Sequence, residues 1–483
     1  MASRGLRENQ KRTGLGTRAC LASSPAPGED CGEGPIDHDS ETASFDWAQA
    51  YDEMAWLPGG ALNMAHEAID RHTRGRLARR TALIWLGRNG EREEYTFAQV
   101  RDQSNRFANV LLSLGIVKGD RIAIHLDRVP ESYFALLGIL KTGAIACPVF
   151  SGFSPETLRD RMKETEAKVL VTHPQLRRGL GDLVYELFEL QHIVIVNKDG
   201  REPEHPETAD LDYYEEMSKA STTFATLQTS PYDTGLLHYT SGVTGEPKGV
   251  LLRHQSIVQQ AATARSVLDL RPGDVYWCTA DPGWVVGTTY GCLAPWAVGA
   301  TVVLREGLFE AEAWYRLIQE ERVTVWYSAP TALRSLQAGS LDLPEAYDLS
   351  SLRHVASVGE VLEADTVEWS IAVLGTPIRN TWLQTETGAV MCAVLPEMDA
   401  PPGSVGKPVP GTEMAVLGRD LQRVETGTTG NLAIRPGWPA MLQGYWGDVD
   451  EYNSRFKRGW YVTDDMARID ADDYIWIERR IEG

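Results

Sequence analysis

Residues 121–150 decide the fold, and they read RIAIHLDRVPESYFALLGILKTGAIACPVF. The first six of them are apolar and rich in β-branched side chains, which predicts a short strand. Residues 130–141 space their apolar side chains as a helix does and place Pro130 in the first turn, and residues 144–150 form a second apolar run. A strand, a helix and a strand in this order predict a βαβ unit with two parallel strands.

Strands and helices continue to alternate along the chain. Five more segments fit the alternation: a helix capped by Ser154 and running toward Lys168, strand 169–172, strand 301–304, helix 313–321 and strand 323–327. After Gly403 the sequence changes to turns and short strands, as at residues 430–434 and 459–463. We therefore predict an α/β domain with parallel-rich sheets over residues 46–402 and a smaller β-rich subdomain over residues 403–481.

The composition is that of a globular protein with more than one domain. The chain has 483 residues, of which 43% are hydrophobic and 24% are charged. Its formal net charge of −20 argues against nucleic acid or an anionic membrane as the main partner. A small anion held by local backbone N–H groups remains compatible with that charge. No apolar run of about 18 residues occurs, so we expect no membrane span.

The first 45 residues differ from the rest of the chain, since they are basic at first and then rich in proline and glycine. This composition predicts a disordered tail. A transit peptide over residues 1–24 is the alternative, so we expect a cytoplasmic protein or, in that case, an organellar one. The cysteines form no CxxC pair and are predicted to be free thiols, mostly buried. They are Cys20, Cys31, Cys147, Cys278, Cys292 and Cys392.

A loop rich in glycine and hydroxyl side chains is the strongest local signal, and residues 236–252 around it read LLHYTSGVTGEPKGVLL. Glycines let backbone N–H groups approach a ligand, the hydroxyls add donors and the lysine adds a charge, which together suit a nucleotide polyphosphate. The candidate ligands are Thr240, Ser241, Gly242, Thr244, Gly245, Lys248 and Gly249.

Two alternatives to this interpretation were weighed. A Walker A loop is excluded, because no Ser or Thr follows Lys248 and residues 250–252 predict a strand instead of a helix. A plain hairpin turn remains possible in principle, although its hydroxyl content is unusual. His238 and His254 lie near the loop and are predicted to pack or to form hydrogen bonds, not to act as bases.

The loop resembles the phosphate-binding signature of the adenylate-forming superfamily, which comprises acyl-CoA synthetases, peptide-synthetase adenylation domains and luciferases. Val243 and Glu246 depart from it, since the family usually has Ser or Thr at the first position and often Lys at the second. Residues 380–388, NTWLQTETG, are similar to the family's Thr-Glu signature in its acetyl-CoA synthetase-like form. The resemblance covers residues 45–483 and implies two flavodoxin-like layered subdomains with a smaller β-rich subdomain.

The resemblance also implies roles for the second signature. Glu386 holds Mg²⁺ against the phosphates of ATP, Thr385 contacts the α-phosphate and Trp382 lies against adenine. The implied catalytic residues are Thr240, Thr244, Lys248 and Glu386, and the implied nucleotide-binding residues are Ser241, Gly242, Gly245, Gly359, Glu360, Trp382, Gln384, Thr385, Asp465 and Arg480.

Three further segments resemble the family in the expected order. Residues 357–360 are similar to the stretch whose backbone contacts the adenine edge. Residues 459–465 resemble a Tyr-x-Thr-Gly-Asp motif, in which Asp465 accepts from the ribose hydroxyls and Asp464 replaces glycine. The backbone at Asp464 is therefore expected either to avoid positive φ or to be strained. Arg480 is implied to contact ribose as well.

A weaker resemblance concerns the CoA site and the chain end. Arg161 matches a position that in acetyl-CoA synthetases meets the CoA 3′-phosphate, although a solvated helix arginine is an equal alternative. Glu482 falls at the family hinge, which leads into a C-terminal lid carrying a catalytic lysine. Because the sequence ends at Gly483, we expect a truncated chain with impaired catalysis.

The acid pocket is implied by residues 281–290, which resemble its lining strip. Leu383 stands where acetyl-CoA synthetases have a second tryptophan, which predicts a pocket for an acid longer than acetate. The implied pocket residues are Trp284, Val285, Val286, Val358 and Leu383.

The sequence thus predicts an AMP-forming acyl-CoA synthetase that uses Mg²⁺, ATP, CoA and a short- to medium-chain carboxylic acid, without nucleic acid. A non-catalytic nucleotide-binding protein of the same fold is one alternative. An amino-acid adenylation domain is another, but it should place an acidic residue in the pocket, and residues 284–287 contain none.

Overall fold

Strands and helices alternate along the chain as the sequence predicts. The computed structural model describes residues 47–198, 210–240, 247–339 and 343–480, and the elements below are those of these ranges. The predicted tail of residues 1–45 and the hinge residues Glu482 and Gly483 lie outside them.

The strands, numbered in chain order, are β1 (Thr81–Leu86), β2 (Arg92–Thr96), β3 (Arg121–His125), β4 (Ile145–Pro148), β5 (Val169–Thr172), β6 (His192–Ile195), β7 (Asp210–Asp212), β8 (Thr234–Thr240), β9 (Lys248–Arg253), β10 (Val275–Cys278), β11 (Thr301–Arg305), β12 (Val325–Ser328), β13 (His354–Ser357), β14 (Ile378–Trp382), β15 (Cys392–Ala393), β16 (Lys407–Pro408), β17 (Met414–Leu417), β18 (Gly430–Ile434), β19 (Gly444–Tyr445), β20 (Phe456–Lys457), β21 (Trp460–Ile469) and β22 (Ile475–Arg480).

The α-helices are α1 (Trp47–Asp52), α2 (Met64–Ala68), α3 (Phe97–Ser113), α4 (Pro130–Thr142), α5 (Pro155–Thr165), α6 (Pro174–Leu180), α7 (Tyr213–Lys219), α8 (Ser256–Ser266), α9 (Val285–Thr288), α10 (Ala294–Val298), α11 (Ala311–Glu320), α12 (Pro330–Gln337), α13 (Ala364–Leu374) and α14 (Val449–Ser454). A π-helical stretch, Thr289–Leu293, joins α9 to α10.

The first large sheet has eight strands in the order β19-β9-β8-β4-β3-β5-β6-β7. Its pairs from β8 through β4, β3, β5, β6 and β7 are parallel, and β9 and β19 are added antiparallel. Counted from β3, the order β4-β3-β5-β6-β7 is 2-1-3-4-5, which is the flavodoxin-like order. This confirms one of the two predicted layered subdomains.

The second large sheet has nine strands in the order β16-β15-β14-β13-β12-β10-β11-β1-β2. The pairs that join β14, β13, β12, β10, β11 and β1 are parallel. Counted from β10, the order β11-β10-β12-β13-β14 is again 2-1-3-4-5, so the second flavodoxin-like subdomain is confirmed as well. Sheets of this kind bind ligands beyond the carboxyl ends of their strands.

A third, smaller sheet is antiparallel and is built from β17, β18, β20, β21 and β22. All five strands lie within residues 414–480, inside the range 403–481 for which the sequence predicts a β-rich subdomain. The short strand β19 departs from this sheet and pairs with β9, with Tyr445 opposite Val250. The C-terminal part of the chain is thereby attached to the strand that follows the phosphate loop.

Local chemistry explains the element ends around residues 121–172. Helix α4 begins at Pro130, which needs no N–H partner there, and Gly143 ends it in the left-handed conformation with φ 75°. Ser154 caps α5 as predicted, since its hydroxyl accepts from Thr157 N at 3.2 Å. Helix α5 ends before the predicted Lys168 because Glu166 is left-handed, with φ 51°.

The interior agrees with the predicted cysteine chemistry. Cys147, Cys278, Cys292 and Cys392 are buried free thiols, whereas Cys20 and Cys31 lie outside the described residues. Within the described ranges, no helix combines the length and the apolarity that a bilayer crossing requires.

A buried lysine ties α4 to the surrounding helices. The Lys141 ammonium donates to Asp70 Oδ1 and to Asn105 Oδ1, both at 2.7 Å, and its side chain has no exposed surface. We predict that Lys141→Met lowers the free energy of unfolding by about 3–5 kcal/mol, because the Asp70 carboxylate loses its cation in a buried place. The comparison is with Lys219→Met, whose ammonium pairs with glutamates at the surface. Equal denaturation midpoints for the two variants would contradict the prediction.

Candidate active site

A cavity of about 740 Å³ opens beyond the carboxyl ends of β10, β12, β13 and β14. Strand β8 of the first sheet contributes Thr240 to its wall, and β22 of the small sheet contributes Ile477, Arg479 and Arg480. The predicted site residues that line it are Thr240, Trp284, Val285, Val286, Val358, Gly359, Glu360, Trp382, Leu383, Gln384, Thr385, Glu386, Asp465 and Arg480. Three sheets therefore meet at the place where the sequence predicts the site.

Other predicted residues are placed elsewhere. Ser241, Gly242, Thr244 and Gly245 lie outside the described residues, as do the departures Val243 and Glu246. Strands β8 and β9 on either side of them pair antiparallel, which agrees with the predicted strand after Lys248.

Three predicted residues, Lys248, Gly249 and Arg161, are described but do not line the cavity. The Lys248 ammonium lies 2.5 Å from Glu451 Oε1. The Arg161 guanidinium lies 4.7 Å above the Tyr239 ring and pairs with Glu164 at 2.7 Å. Arg161 is buried, so it is not a solvated helix arginine. Its contact with CoA stays a prediction.

Glu386 has the most unusual surroundings in the cavity wall. Its side chain is 4% exposed, and Oε1 accepts from the Tyr445 hydroxyl at 3.1 Å. Oε2 is buried and has no hydrogen-bond partner among the described residues. Burial raises the pKa of the Glu386 carboxyl above its ordinary value. An orphaned carboxylate oxygen of this kind is a site for a cation or a hydrogen-bond donor.

A tight turn holds Glu386 at the cavity. The Thr387 amide donates to Gln384 O at 3.2 Å, and the Gly388 amide donates to Thr385 O at 3.2 Å. Gly388 has φ 65°, and a Cβ on it would lie 2.3 Å from Ala440 O. Only glycine therefore fits at the end of this turn.

The donor set around Glu386 fits a magnesium ion that brings ligands of its own. Among the described residues no cluster of three or more acidic, histidine or cysteine side chains forms a complete metal site. Mg²⁺ is commonly held by one or two carboxylates together with the phosphates of a substrate. The single partnerless oxygen of Glu386 meets that requirement.

Asp465 is anchored at the other side of the cavity. Trp382 Nε1 and Gln384 Nε2 donate to its Oδ2 at 2.9 and 3.0 Å. Burial raises the pKa of the Asp465 carboxyl, although these two donors and the charge of Arg480 oppose the shift. The backbone register places Arg480 directly opposite Asp465.

Asp464 lies in β21, and its φ is not positive. Of the two expected outcomes, avoidance of positive φ and backbone strain, the first is therefore observed. Its carboxylate forms an ion pair with Arg455. The replacement of glycine at this position therefore causes no backbone strain.

The apolar part of the wall contains Val285, Val286, Val358 and Leu383. Trp284 is 39% exposed, and its ring lies 5.4 Å from that of Phe150. Trp284 therefore forms the rim of the cavity, while the aliphatic side chains form its inner surface.

Sequence reasoning missed Arg128, Tyr445 and Arg479, and it gave no role to Asp281 within the predicted pocket strip. Asp281 is 5% exposed and accepts from Gly283 N at 2.9 Å and from Ser151 Oγ at 3.2 Å. Burial raises the pKa of its carboxyl. Asp281 begins the predicted pocket strip and was therefore detectable, whereas the contact of Tyr445 with Glu386 depends on the pairing of β19 with β9.

The two histidines near the loop have the predicted passive character. Both are buried, and burial lowers the pKa of His238 and of His254 to about 4. The His254 Nδ1 accepts from Met64 N at 3.2 Å. Both side chains are therefore neutral near pH 7.

A second cavity of about 620 Å³ adjoins the first. The residues that line both are Arg128, Phe150, Cys278, Ala280, Asp281 and Ala329. The second cavity adds the guanidinium groups of Arg88 and Arg305. Arg88 pairs there with Asp127 and Glu306, and Arg305 pairs with Glu310.

Known proteins resemble this chain in sequence and in structure. A family model described as AMP-binding enzyme matches residues 70–446. The acetyl-coenzyme A synthetase of Bacillus subtilis strain 168 is 44% identical over 440 residues, which cover 91% of this chain and 76% of that protein. The acetyl-coenzyme A synthetase of Mycolicibacterium smegmatis is 36% identical over 473 residues, covering 91% of this chain and 50% of that protein. A crystal structure of a Brucella canis acyl-CoA synthetase superposes with a TM-score of 0.83 at 30% identity, covering 91% of this chain and 79% of that one.

The raised pKa of Glu386 predicts a stability cost in the ligand-free protein. A carboxyl whose folded pKa exceeds its unfolded pKa destabilises the fold above the folded pKa, and this cost disappears below the unfolded pKa. Glu386→Gln should therefore raise Tm by about 1–3 °C at pH 7.5, and the gain should shrink toward pH 4.5. Thermal unfolding at a series of pH values measures this, with Glu345→Gln at the surface as the control. A lower Tm for Glu386→Gln at pH 7.5 would contradict the assignment.

Proposed function

We propose that the larger cavity of this chain holds Mg·ATP beside a small carboxylic acid. The premise is that the chain belongs to the AMP-binding enzyme family and is an AMP-forming acyl-CoA synthetase, which is an acid–thiol ligase. The observation that carries the proposal is the buried Glu386 carboxylate, whose Oε2 has no partner in the part of the chain that the structure describes, at one side of a cavity whose inner wall is aliphatic. Such a cavity joins a cation site to a place for an apolar acyl chain.

The nucleotide is proposed to lie between Glu386 and Asp465. Both donors to Asp465 bond to Oδ2, so Oδ1 is the oxygen proposed to accept from the ribose hydroxyls. Trp382 and the stretch around Gly359 and Glu360 line the same cavity and are proposed to contact adenine. Arg480, opposite Asp465 in the small sheet, is proposed to hold ribose from the other strand.

The first half-reaction is proposed to be adenylation. A carboxylate oxygen of the acid bonds to the α-phosphorus of ATP as the bond to the pyrophosphate oxygen breaks, giving an acyl-adenylate and pyrophosphate. Thr240, Thr385 and Lys248 are proposed to position the phosphates and to stabilise the charge that develops. Mg²⁺ bound through Glu386 would supply further charge neutralisation on the phosphates.

The second half-reaction is proposed to use the second cavity. Its guanidinium groups, Arg88, Arg128 and Arg305, are proposed to bind the phosphates of CoA in exchange for their present carboxylate partners. The thiol is proposed to approach the adenylate from the side where the two cavities share lining residues. The sulfur bonds to the acyl carbon, AMP leaves with the electron pair of the broken C–O bond, and the thiol proton goes to solvent. Arg161 would have to leave Tyr239 to take part.

The acid is proposed to be a short- to medium-chain one, longer than acetate. Leu383 supplies an isobutyl group beside Val285, Val286 and Val358, and these side chains leave room that an indole would fill. Acetate itself is the competing candidate, since acetate is the acid named for the Bacillus subtilis relative.

Acid-dependent exchange of pyrophosphate into ATP tests the adenylation proposal. The chain, alone and with the C-terminal domain of a relative added, should catalyse exchange with aliphatic acids. Glu386→Gln should lower that exchange by about a hundredfold, since the cation loses its carboxylate, while Glu345→Gln should not change it. ATP binding without exchange in either arm would favour a non-catalytic nucleotide-binding protein. Exchange driven best by amino acids would favour an amino-acid adenylation domain, with Asp281 as the acidic residue of its pocket.

The pocket proposal is tested by Leu383→Trp. The indole should fill the space beside the three valines and raise the ratio of kcat/KM for acetate over that for propionate by about tenfold or more. Steady-state kinetics with a series of straight and branched acids measure this ratio. Leu112→Trp, at a leucine that is 51% exposed, is the matched control. An unchanged ratio in Leu383→Trp would remove Leu383 from the acid pocket.

A further inference from the structure

Four charged side chains form a continuous chain of ion pairs beside the larger cavity. The Lys248 ammonium lies 2.5 Å from Glu451 Oε1, and Arg455 Nη2 lies 2.7 Å from the same oxygen. The other side of the Arg455 guanidinium pairs with Asp464. The order is therefore cation, anion, cation, anion, and Glu451 is shared between the two cations.

The fold brings these groups together from three elements, since Glu451 lies in α14 and Arg455 is the C-cap of the same helix. Lys248 begins β9, and β19 pairs with β9 and leads directly into α14. The Asp448 side chain caps α14 by accepting from the Glu451 amide at 2.9 Å, which fixes where Glu451 points. Asp464 lies in β21 immediately before Asp465. The ion pairs thus connect the end of the phosphate loop with the strand proposed to hold ribose.

Lys248 is also close to the metal side of the cavity. Its ammonium lies 5.7 Å from the centre of the Tyr445 ring, and the Tyr445 hydroxyl donates to Glu386 at 3.1 Å. One aromatic side chain therefore separates Lys248 from the carboxylate proposed to bind Mg²⁺.

The network is partly shielded from water. The exposed fractions of its side chains are 11% for Lys248, 21% for Glu451, 13% for Arg455 and 17% for Asp464. Charges with so little exposure are screened less by solvent and salt than surface pairs are. The ion pair between Lys248 and Glu451 is consequently stabilising, and a phosphate must interact with Lys248 more favourably than Glu451 does to replace it.

The role of Asp464 follows from how Arg455 is shared. Without Asp464, Arg455 would direct its whole charge at Glu451 and leave little of that carboxylate's charge for Lys248. With Asp464 present, part of the Arg455 charge is compensated, so Glu451 attracts Lys248 more strongly. When Lys248 leaves, Glu451 still keeps Arg455, so the departure does not orphan the carboxylate.

We propose that Glu451, supported by Arg455 and Asp464, holds Lys248 away from the nucleotide and competes with the triphosphate of ATP for that lysine. This inference rests on the proposed binding of ATP in the cavity. It makes the three side chains a restraint on ATP affinity, and Asp464, which replaces the glycine of the resembling motif, strengthens it.

Calorimetric titration with Mg·ATP tests the restraint. Glu451→Gln should tighten ATP binding about three- to tenfold, because Lys248 would then bind the phosphates without first breaking an ion pair. Asp464→Asn should tighten it in the same direction by a smaller factor. The affinity for adenosine, which has no phosphate, should stay unchanged in both variants. Glu425→Gln, an exposed glutamate of the same part of the chain, is the matched control.

Adding Lys248→Ala to Glu451→Gln should abolish the gain, since the restraint acts only through the lysine. Unchanged or weaker ATP binding in Glu451→Gln and in Asp464→Asn would overturn the restraint, and weaker binding would make Glu451 a residue that positions Lys248 for ATP. Failure of the unaltered protein to bind ATP at all would overturn the proposed function instead. The two failures are thus distinguished in one set of titrations.

Discussion

The buried carboxylate of Glu386 is the constraint on which the site depends. Its Oε2 has no hydrogen-bond partner among the described residues, and its only side-chain donor is the Tyr445 hydroxyl. Holding an ionised group in this way costs free energy, which the rest of the fold must offset. Proteins retain such destabilising groups at sites that must be preorganised to bind a cation before the substrate binds.

The three sheets explain how that constraint is met. The second flavodoxin-like sheet delivers the turn with Glu386 beyond β14, and Gly388 allows the turn to pack against Ala440 O. The first sheet supplies Tyr445 from its edge strand β19, which pairs with β9. The small sheet closes the cavity with Asp465 and Arg480. One continuous apolar core contains side chains from all three sheets, and the site lies where the three meet.

Charge is distributed unequally around the cavity. Glu386 and Asp281 are buried and have raised pKa values, whereas Lys248 and Arg455 are neutralised by Glu451 and Asp464. A triphosphate with Mg²⁺ would reverse both conditions, since it brings a cation to the carboxylate and anions to the lysine. The charges of the site are therefore arranged so that Mg·ATP would provide each group with a partner of opposite charge.

Much of this protein was determined by its sequence alone. Local periodicity and caps predicted the βαβ units, Ser154 as an N-cap and the strand after Lys248, because those depend on neighbours within a few residues. The Thr-Glu signature predicted Glu386, the segment 459–465 predicted Asp465, and the pocket strip 281–290 predicted Val285 and Val286. Only the tertiary structure decided that Tyr445 donates to Glu386, that Glu451 pairs with Lys248 and that the Arg161 guanidinium lies over the Tyr239 ring and does not line the cavity. These contacts join residues about 60 to 200 positions apart, and they depend on which elements pack together across the fold, which local periodicity does not specify.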